Sequence, residues 1–119
     1  MKTWILRIRA ENRIIFNQIK SGRKKVETRA FGFTKTGKNF GSVQKGDTLL
    51  FMCSRARLRK KVKKIKKFRT IDVFFEKVNQ KLVWPHLERR TLSEIKKQYY
   101  AYPGYKERIW KHGLVAFWI

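Results

Sequence analysis

Acidic residues are scarce in this chain. Its 119 residues include 8 Asp and Glu against 31 Lys and Arg, for a formal net charge of +23. A folded domain with so much self-repulsion calls for a polyanion to offset it. Cysteine is nearly absent too. The single Cys53 excludes an internal disulfide and a cysteine-based zinc cluster. Only His86 and His112 are available as imidazole ligands, which argues against a histidine-rich metal centre. No metal or other cofactor is expected. No apolar run approaches the roughly 18 residues needed to span a bilayer. The stretch from Met1 to Arg9 lacks a long apolar segment ahead of a small-residue cleavage site, so no secretory signal is read there. With a free thiol, the expected location is the cytoplasm. Internal repeats and linkers are also missing.

What is present suffices for a core. Hydrophobic residues make up 42% of the chain, which argues against a disordered polycation. The length suits one domain over residues 1–119, able to bury about two-thirds of its unfolded surface without staples. A monomer is the favoured state.

Periodicity sets out the elements. Trp4, Leu6 and Ile8 alternate with Ile5, Arg7 and Arg9, which predicts a first strand. From Glu11 to Lys20 the period switches. Ile15 and Ile19, flanked by Phe16, predict a short amphipathic helix stopped at Ser21-Gly22. Lys24 to Phe31 reads as a strand, and Gly32 to Gln44 as a loop. After a turn at Lys45-Gly46-Asp47, the apolar run Thr48 to Cys53 predicts a central strand buried on both faces. Ten of the fifteen residues in 55–69 are basic. There Leu58, Val62, Ile65 and Phe68 have helical spacing, although like charges meeting at i,i+4 oppose a helix and a bulged strand is the rival. Thr70 to Val78 predicts a helix capped by Thr70, and Val83-Trp84-Pro85 breaks the pattern. Another helix opens at Thr91-Leu92-Ser93-Glu94, where Thr91 or Ser93 can cap it and Thr91 with Glu94 fits a capping box, and Tyr102-Pro103-Gly104 ends it. Leu114 to Ile119 is a last apolar strand. Mixed strands with helices on one side indicate an α+β fold on a curved sheet or open barrel.

Three segments, in order, resemble one family. Gly22-Arg23-Lys24-Lys25-Val26-Glu27-Thr28-Arg29 fits the G-x-K-x-x-E-x-R signature of ASCH domains, which are PUA-like. Gly46-Asp47-Thr48-Leu49-Leu50-Phe51 fits that family's G-D-x-[ILV]-x-F strand. Tyr102-Pro103, followed by Gly113-Leu114-Val115-Ala116-Phe117, is similar to its ending. The resemblance implies a PUA-like mixed or antiparallel β-barrel of about five or six strands with two to four flanking helices. It also implies that Arg57 to Lys66 is strand, which removes the basic amphipathic helix that a membrane-surface role would need. Members of the family bind RNA, cleave RNA, or remove acetyl from N4-acetylcytidine. The resemblance thus points to nucleic acids or nucleobases without choosing a reaction.

The signature residues suit that ligand class. On a strand, Glu27 and Arg29 share a face with Lys25, while Lys24, Val26 and Thr28 face away. A bend beside Gly22 can swing Lys24 towards Glu27. Arg29 can grip a phosphate or carbonyl in its fork, and Glu27 can accept from an amino group on a base edge. Lys24, once desolvated, can serve as a base. An ion-pair network that merely fixes the barrel is the alternative.

The deacetylating branch implies a lysine, a threonine three residues on, and a distal glutamate before a helix start. Here these positions hold Lys24, Glu27 in place of the threonine, and Glu88. Thr28 is one residue late and is expected to face away. The candidate catalytic set is therefore Lys24, Glu27 and Glu88, although Glu88 also suits a helix N-terminus with Arg89 and Arg90 beside it. The candidate nucleotide cleft is Lys24, Glu27, Arg29 and Tyr102. Tyr102 and Tyr105 can stack a base or pack a turn. His86 reads as a packing or surface residue before a proton shuttle, and Cys53 as inert core.

Between Asp47 and Asp72 lie 24 residues without an acid. Arg55, Arg57, Arg59, Lys60, Lys61, Lys63, Lys64, Lys66, Lys67 and Arg69 fall in this gap. On a strand pair or bulged hairpin they form a ridge that neutralises phosphates. Phe31, Phe33, Phe40, Phe51 and Phe68 lie near it in sequence, and the 31–40 loop suits either base stacking or a hydrophobic cover. The expected function is RNA binding, with a cleft for one nucleotide and a basic ridge for the backbone. DNA is the second partner considered, and no membrane is expected. The alternatives are a small hydrolase using the same cleft, and a non-catalytic basic accessory of DNA or a ribonucleoprotein.

Overall fold

The computed structural model describes residues 1–32 and 37–119. Within them six strands and five α-helices alternate: β1 (Thr3–Ile8), α1 (Arg13–Ser21), β2 (Val26–Ala30), β3 (Thr48–Cys53), β4 (Ala56–Lys61), β5 (Lys64–Phe68), α2 (Ile71–Lys77), α3 (Gln80–Val83), α4 (Leu92–Tyr100), α5 (Tyr105–His112) and β6 (Leu114–Trp118). The α+β expectation holds. The strands form two three-stranded sheets rather than one closed barrel: β1-β3-β4 and β2-β6-β5. The β1–β3 pairing is parallel and the others are antiparallel.

Local signals behave as their chemistry requires. Gly22 ends α1 with φ 80, and its N–H donates to the Ile19 carbonyl. The Thr70 hydroxyl caps α2 by accepting from Val73 N at 3.1 Å. Thr91 and Glu94 form the reciprocal capping box on α4. The helices α3 and α5 were not legible. The first is a single turn, and the second follows directly on the Tyr102-Pro103-Gly104 stop. At the end of α5, Gly113 has φ 89, and a Cβ there would stand 2.3 Å from the Phe68 carbonyl oxygen. Only glycine lets β6 start against β5 at this point.

The basic segment 55–69 is neither the helix its spacing suggested nor a hairpin. It is two strands that part company. β4 pairs with β3 in the first sheet, and β5 pairs with β6 in the second. Val62, buried at the crossover, is tied to the Asp47 carbonyl at 2.9 Å and plugs the first core. The apolar spacing that mimicked a helix reflects two strands whose inward positions fall on either side of this switch.

Two cores result. The first lies between the sheets and takes Leu6, Leu49 and Phe51 from one sheet, Val115 and Phe117 from β6, and Phe16 and Ile19 from α1. The second lies between β2-β6-β5 and the later helices, with Phe74, Ile95, Tyr99 and Ile109 meeting Val26, Leu114 and Ala116. The second sheet is therefore covered by the first sheet and α1 on one face and by the later helices on the other. The strand buried on both faces is β6, not the expected β3. In β3 the burial alternates, with Leu49, Phe51 and Cys53 inside and Thr48, Leu50 and Met52 half-buried. It is central in its sheet, but only one of its faces meets a core.

Candidate functional site

The signature segment lies along the free edge of β2, whose other edge pairs with β6. Val26, Thr28 and Ala30 share one face and Glu27 and Arg29 the other, as strand alternation requires. Ahead of the strand the chain is pinned from both sides. Lys24 N donates to the Gln18 carbonyl at 3.1 Å, and Lys25 N to the Leu82 carbonyl at 2.9 Å. Across this bend Lys25 is exposed and Lys24 is buried. It is the bend beside Gly22 that brings Lys24 to Glu27.

Lys24, Glu27, Thr28 and Arg29 line one cavity of about 240 Å³. Arg7, Ile8 and Arg9 at the end of β1 form one wall, with Asn12 and Ile15 beside them. Trp84 and Tyr99 lie on the second-core side, and Tyr102, Pro103 and Tyr105 form the remaining wall. The volume is below the roughly 300–1,000 Å³ of drug-sized sites, which suits a base-sized group.

Thr28 was expected to face away, yet it lines the cavity. Because β2 is an edge strand, the cavity wraps that edge and collects side chains from both of its faces. The Thr28 hydroxyl hydrogen-bonds the Tyr99 hydroxyl at 2.6 Å. Burial pushes the Tyr99 phenol well above its ordinary range, so it stays protonated. Glu27 folds back over the same edge, where its Oε1 accepts from Thr28 N at 2.9 Å. Its Oε2 lies 3.9 Å from Arg29 Nη2.

The two cations of the site differ. The Lys24 ammonium is buried and donates to the Val83 carbonyl at 2.6 Å. Burial lowers its pKa, Glu27 opposes that shift, and Arg29 adds to it. Burial also works against the Arg29 charge, but Glu27 and the hydroxyls of Tyr105 and Tyr102 outweigh it, and the net direction is upward. The Arg29 guanidinium sits 5.7 Å from the Phe40 ring centroid. Its Nε is buried with no hydrogen-bond partner among the described residues. At the mouth, the rings of Tyr102 and Tyr105 are 5.1 Å apart at 56°, and Tyr102 is 38% exposed. The site thus combines an unfilled donor, a buried amine, a carboxylate and an aromatic wall.

The structure does not bring Glu88 to this site. It is exposed and lies outside the cavity lining. Gln80 clamps the Arg90 backbone through two hydrogen bonds of 2.9 and 3.0 Å, and the Arg90 guanidinium stacks 4.4 Å above Trp84. Trp84 lines the cavity, and Glu88 does not. His86 is also outside the lining, with Nδ1 3.2 Å from Gln18 Oε1. Burial first, then Lys24 and Arg90, lower its pKa. Cys53 is buried in the first core.

The ridge cations are exposed, with Lys60 half-buried. Among the described residues, the phenylalanines near them are not available for stacking. Phe51, Phe68 and Phe40 are buried, and Phe31 packs on the first core. Of the two readings of the 31–40 loop, hydrophobic cover applies to Phe31 and Phe40, while Phe33 lies outside the described residues. Instead, β5 lysines sit on aromatic rings: Lys64 on Trp118, Lys66 on Phe68 and Lys67 on Phe31. Arg7 and Arg9 were read as the polar positions of an alternating strand. Nothing local marks them as neighbours of Lys24.

No family model matches the chain, and a search of curated proteins finds no match. Solved structures do resemble it. The crystal structure of hypothetical protein PH0355 superposes with a TM-score of 0.73 at 28% identity, covering 98% of this chain and 95% of that one. The solution structure of protein PF0455 from Pyrococcus furiosus gives 0.68 at 23% identity, over 97% of this chain and 93% of that one. The likeness supports the α+β fold along the whole chain.

Proposed function

We propose that this chain is an ASCH-type, PUA-like RNA-binding protein of the cytoplasm, whose cleft takes one unstacked nucleotide. The observation that carries the reading is the buried Nε of Arg29, without a hydrogen-bond partner among the described residues, in a base-sized cavity with Lys24, Glu27 and Tyr102. A phosphate or carbonyl oxygen satisfies Arg29. The Glu27 carboxylate accepts from an amino group on a base edge. Tyr102 offers an exposed ring face for stacking. The order of the three ASCH-like segments and a net charge of +23 support the same choice. RNA is preferred to DNA because single-stranded loops present the unstacked bases that such a cleft needs.

The test is binding of single-stranded RNA, duplex RNA and duplex DNA of equal length across a salt series. The expected result is a steep salt dependence for all three, with a preference for single-stranded RNA that persists at high salt. Tyr102→Ala is expected to remove about 1–3 kcal/mol of that residual affinity. Identical curves that collapse together overturn the reading.

A hydrolase at the same cleft is the second reading, favoured by the buried Lys24 amine of lowered pKa beside Glu27. In that reading Lys24 and Glu27 supply general acid–base chemistry on a modified nucleoside or on RNA. Lys24→Ala then abolishes turnover of N4-acetylcytidine or of RNA while leaving polynucleotide affinity intact. Equal loss of both favours binding alone.

A further inference from the structure

The outward face of the first sheet belongs to neither core. Register places its residues in three rows across β1, β3 and β4: Thr3-Thr48-Lys61, Ile5-Leu50-Arg59 and Arg7-Met52-Arg57. Ile5 is exposed, and Leu50 and Met52 are half-buried, yet none of the three joins either hydrophobic cluster. The centre of this face is therefore apolar, and one margin is a column of three exposed cations on β4. Its rows hold no carboxylate. Asp47, next to the face, is turned inward and occupied by Lys2 N, Trp4 Nε1 and Gln44 N.

Two further features give this face a direction. Arg57, Arg59 and Lys61 occupy alternate positions, so they repeat about every 6.7 Å. That is close to one nucleotide step of an extended single strand. Arg7, which ends the third row, also lines the cavity at β2. The cleft and the open sheet face are thus continuous through one arginine. The lysines of β5 differ, being on the other sheet with Lys64, Lys66 and Lys67 seated on aromatic rings.

The geometry points to a track for single-stranded RNA across the open face of β1-β3-β4. Arg57, Arg59 and Lys61 hold successive phosphates, Leu50 and Met52 lie under the sugars and bases, and Arg7 leads the strand into the cleft. The inference rests on the cleft reading and divides the ridge. The β4 cations carry the polymer, and the β5 lysines contribute only to the general field. The occupant follows from charge: a face with an apolar centre, a cationic margin and no acid is complementary to a polyanion with exposed bases.

The chain has two methionines, so methyl-labelled methionine gives two signals, that of Met52 assigned by Met52→Leu. The probes are a single-stranded oligouridylate roughly 10 nucleotides long and uridine monophosphate. The Met52 methyl is expected to shift with the oligonucleotide and to stay unmoved with the monophosphate. Arg57→Gln with Arg59→Gln is expected to weaken oligonucleotide binding about tenfold and to reduce the salt slope by about 1.4, for two single-strand phosphate contacts. Lys64→Gln with Lys66→Gln, the same loss of charge, is expected to cost less than about threefold. Equal losses from the two pairs overturn the track. So does a Met52 signal that stays still while the oligonucleotide binds. Concentration-dependent broadening of that signal without RNA assigns the face to a second copy and also overturns it. If the unaltered chain binds no oligonucleotide, the cleft reading falls together with the track.

Discussion

The buried ammonium of Lys24 donates to the backbone carbonyl of Val83 at 2.6 Å, tying the bend before β2 to the end of α3. A backbone carbonyl cannot neutralise the charge, so the amine keeps the cost of its burial. Burial is the main reason its folded pKa lies below the ordinary 10.5. Between that lowered value and 10.5 the unfolded chain holds the extra proton, so stability rises with pH through this window. Lys24→Met keeps the volume and removes the titration. The stability of the native chain relative to Lys24→Met is expected to grow as pH rises from neutral towards 10.5. Urea unfolding of both chains across that range checks it. A constant difference removes the assignment of a desolvated amine. Relief of the general positive charge acts on both chains and cancels.

Asp47 is the acid of the Gly46-Asp47 motif, and its work is structural. It accepts from Gln44 N at 2.9 Å, Trp4 Nε1 at 3.0 Å and Lys2 N at 3.1 Å, tying β1 to the turn before β3. The Gln44 N–H is the largest cause holding its pKa below the ordinary 3.8. Its stabilisation is therefore complete above 3.8 and lost as pH falls through the lowered folded value. Asp47→Asn offers one acceptor oxygen where three donors converge, and is expected to cost about 1–3 kcal/mol. The check is denaturant unfolding at neutral and acid pH. The gap between the two chains is expected to narrow on the acid side.

Thr28 and Tyr99 join the wall of the cavity to the second core through their 2.6 Å hydrogen bond. Both residues are buried, so removing one partner strands the other. Tyr99→Phe is expected to destabilise by about 1–3 kcal/mol. Adding Thr28→Val removes the stranded hydroxyl and is expected to recover part of that loss. A double-mutant cycle in urea measures the coupling. Additive effects show that the pair does not act as a unit.

How far each feature was legible depended on how local its cause is. The N-caps Thr70 and Thr91, the stop at Gly22 and the turn at Lys45-Gly46-Asp47 were read correctly, because a cap or turn is decided within a few residues. Helix α3 has too few residues to show a period. Residues 55–69 misled because two short strands with inward residues on either side of Val62 imitate helical spacing. In the candidate site, Lys24, Glu27, Arg29 and Tyr102 were singled out as one set, and they line one cavity. Glu88 joined the catalytic candidates only because the resemblance to the deacetylating branch implies a glutamate before a helix start. A position along the chain before a helix does not show which cavity the side chain reaches, and Glu88 lies outside this one.

The sequence by itself determined the charge, the capped helix starts and the amphipathic strands, since these follow from residue types and their immediate neighbours. Only the tertiary structure decided that β4 and β5 belong to different sheets, because strand pairing is a contact between distant residues. It also decided that the cavity opens on an edge of β2, where Glu27 and Thr28 contribute from opposite faces. A strand pattern distinguishes two faces but does not show which edge is left unpaired. That edge depends on β6, which arrives more than eighty residues later, and it brings Lys24, Thr28 and Arg7 to one cavity.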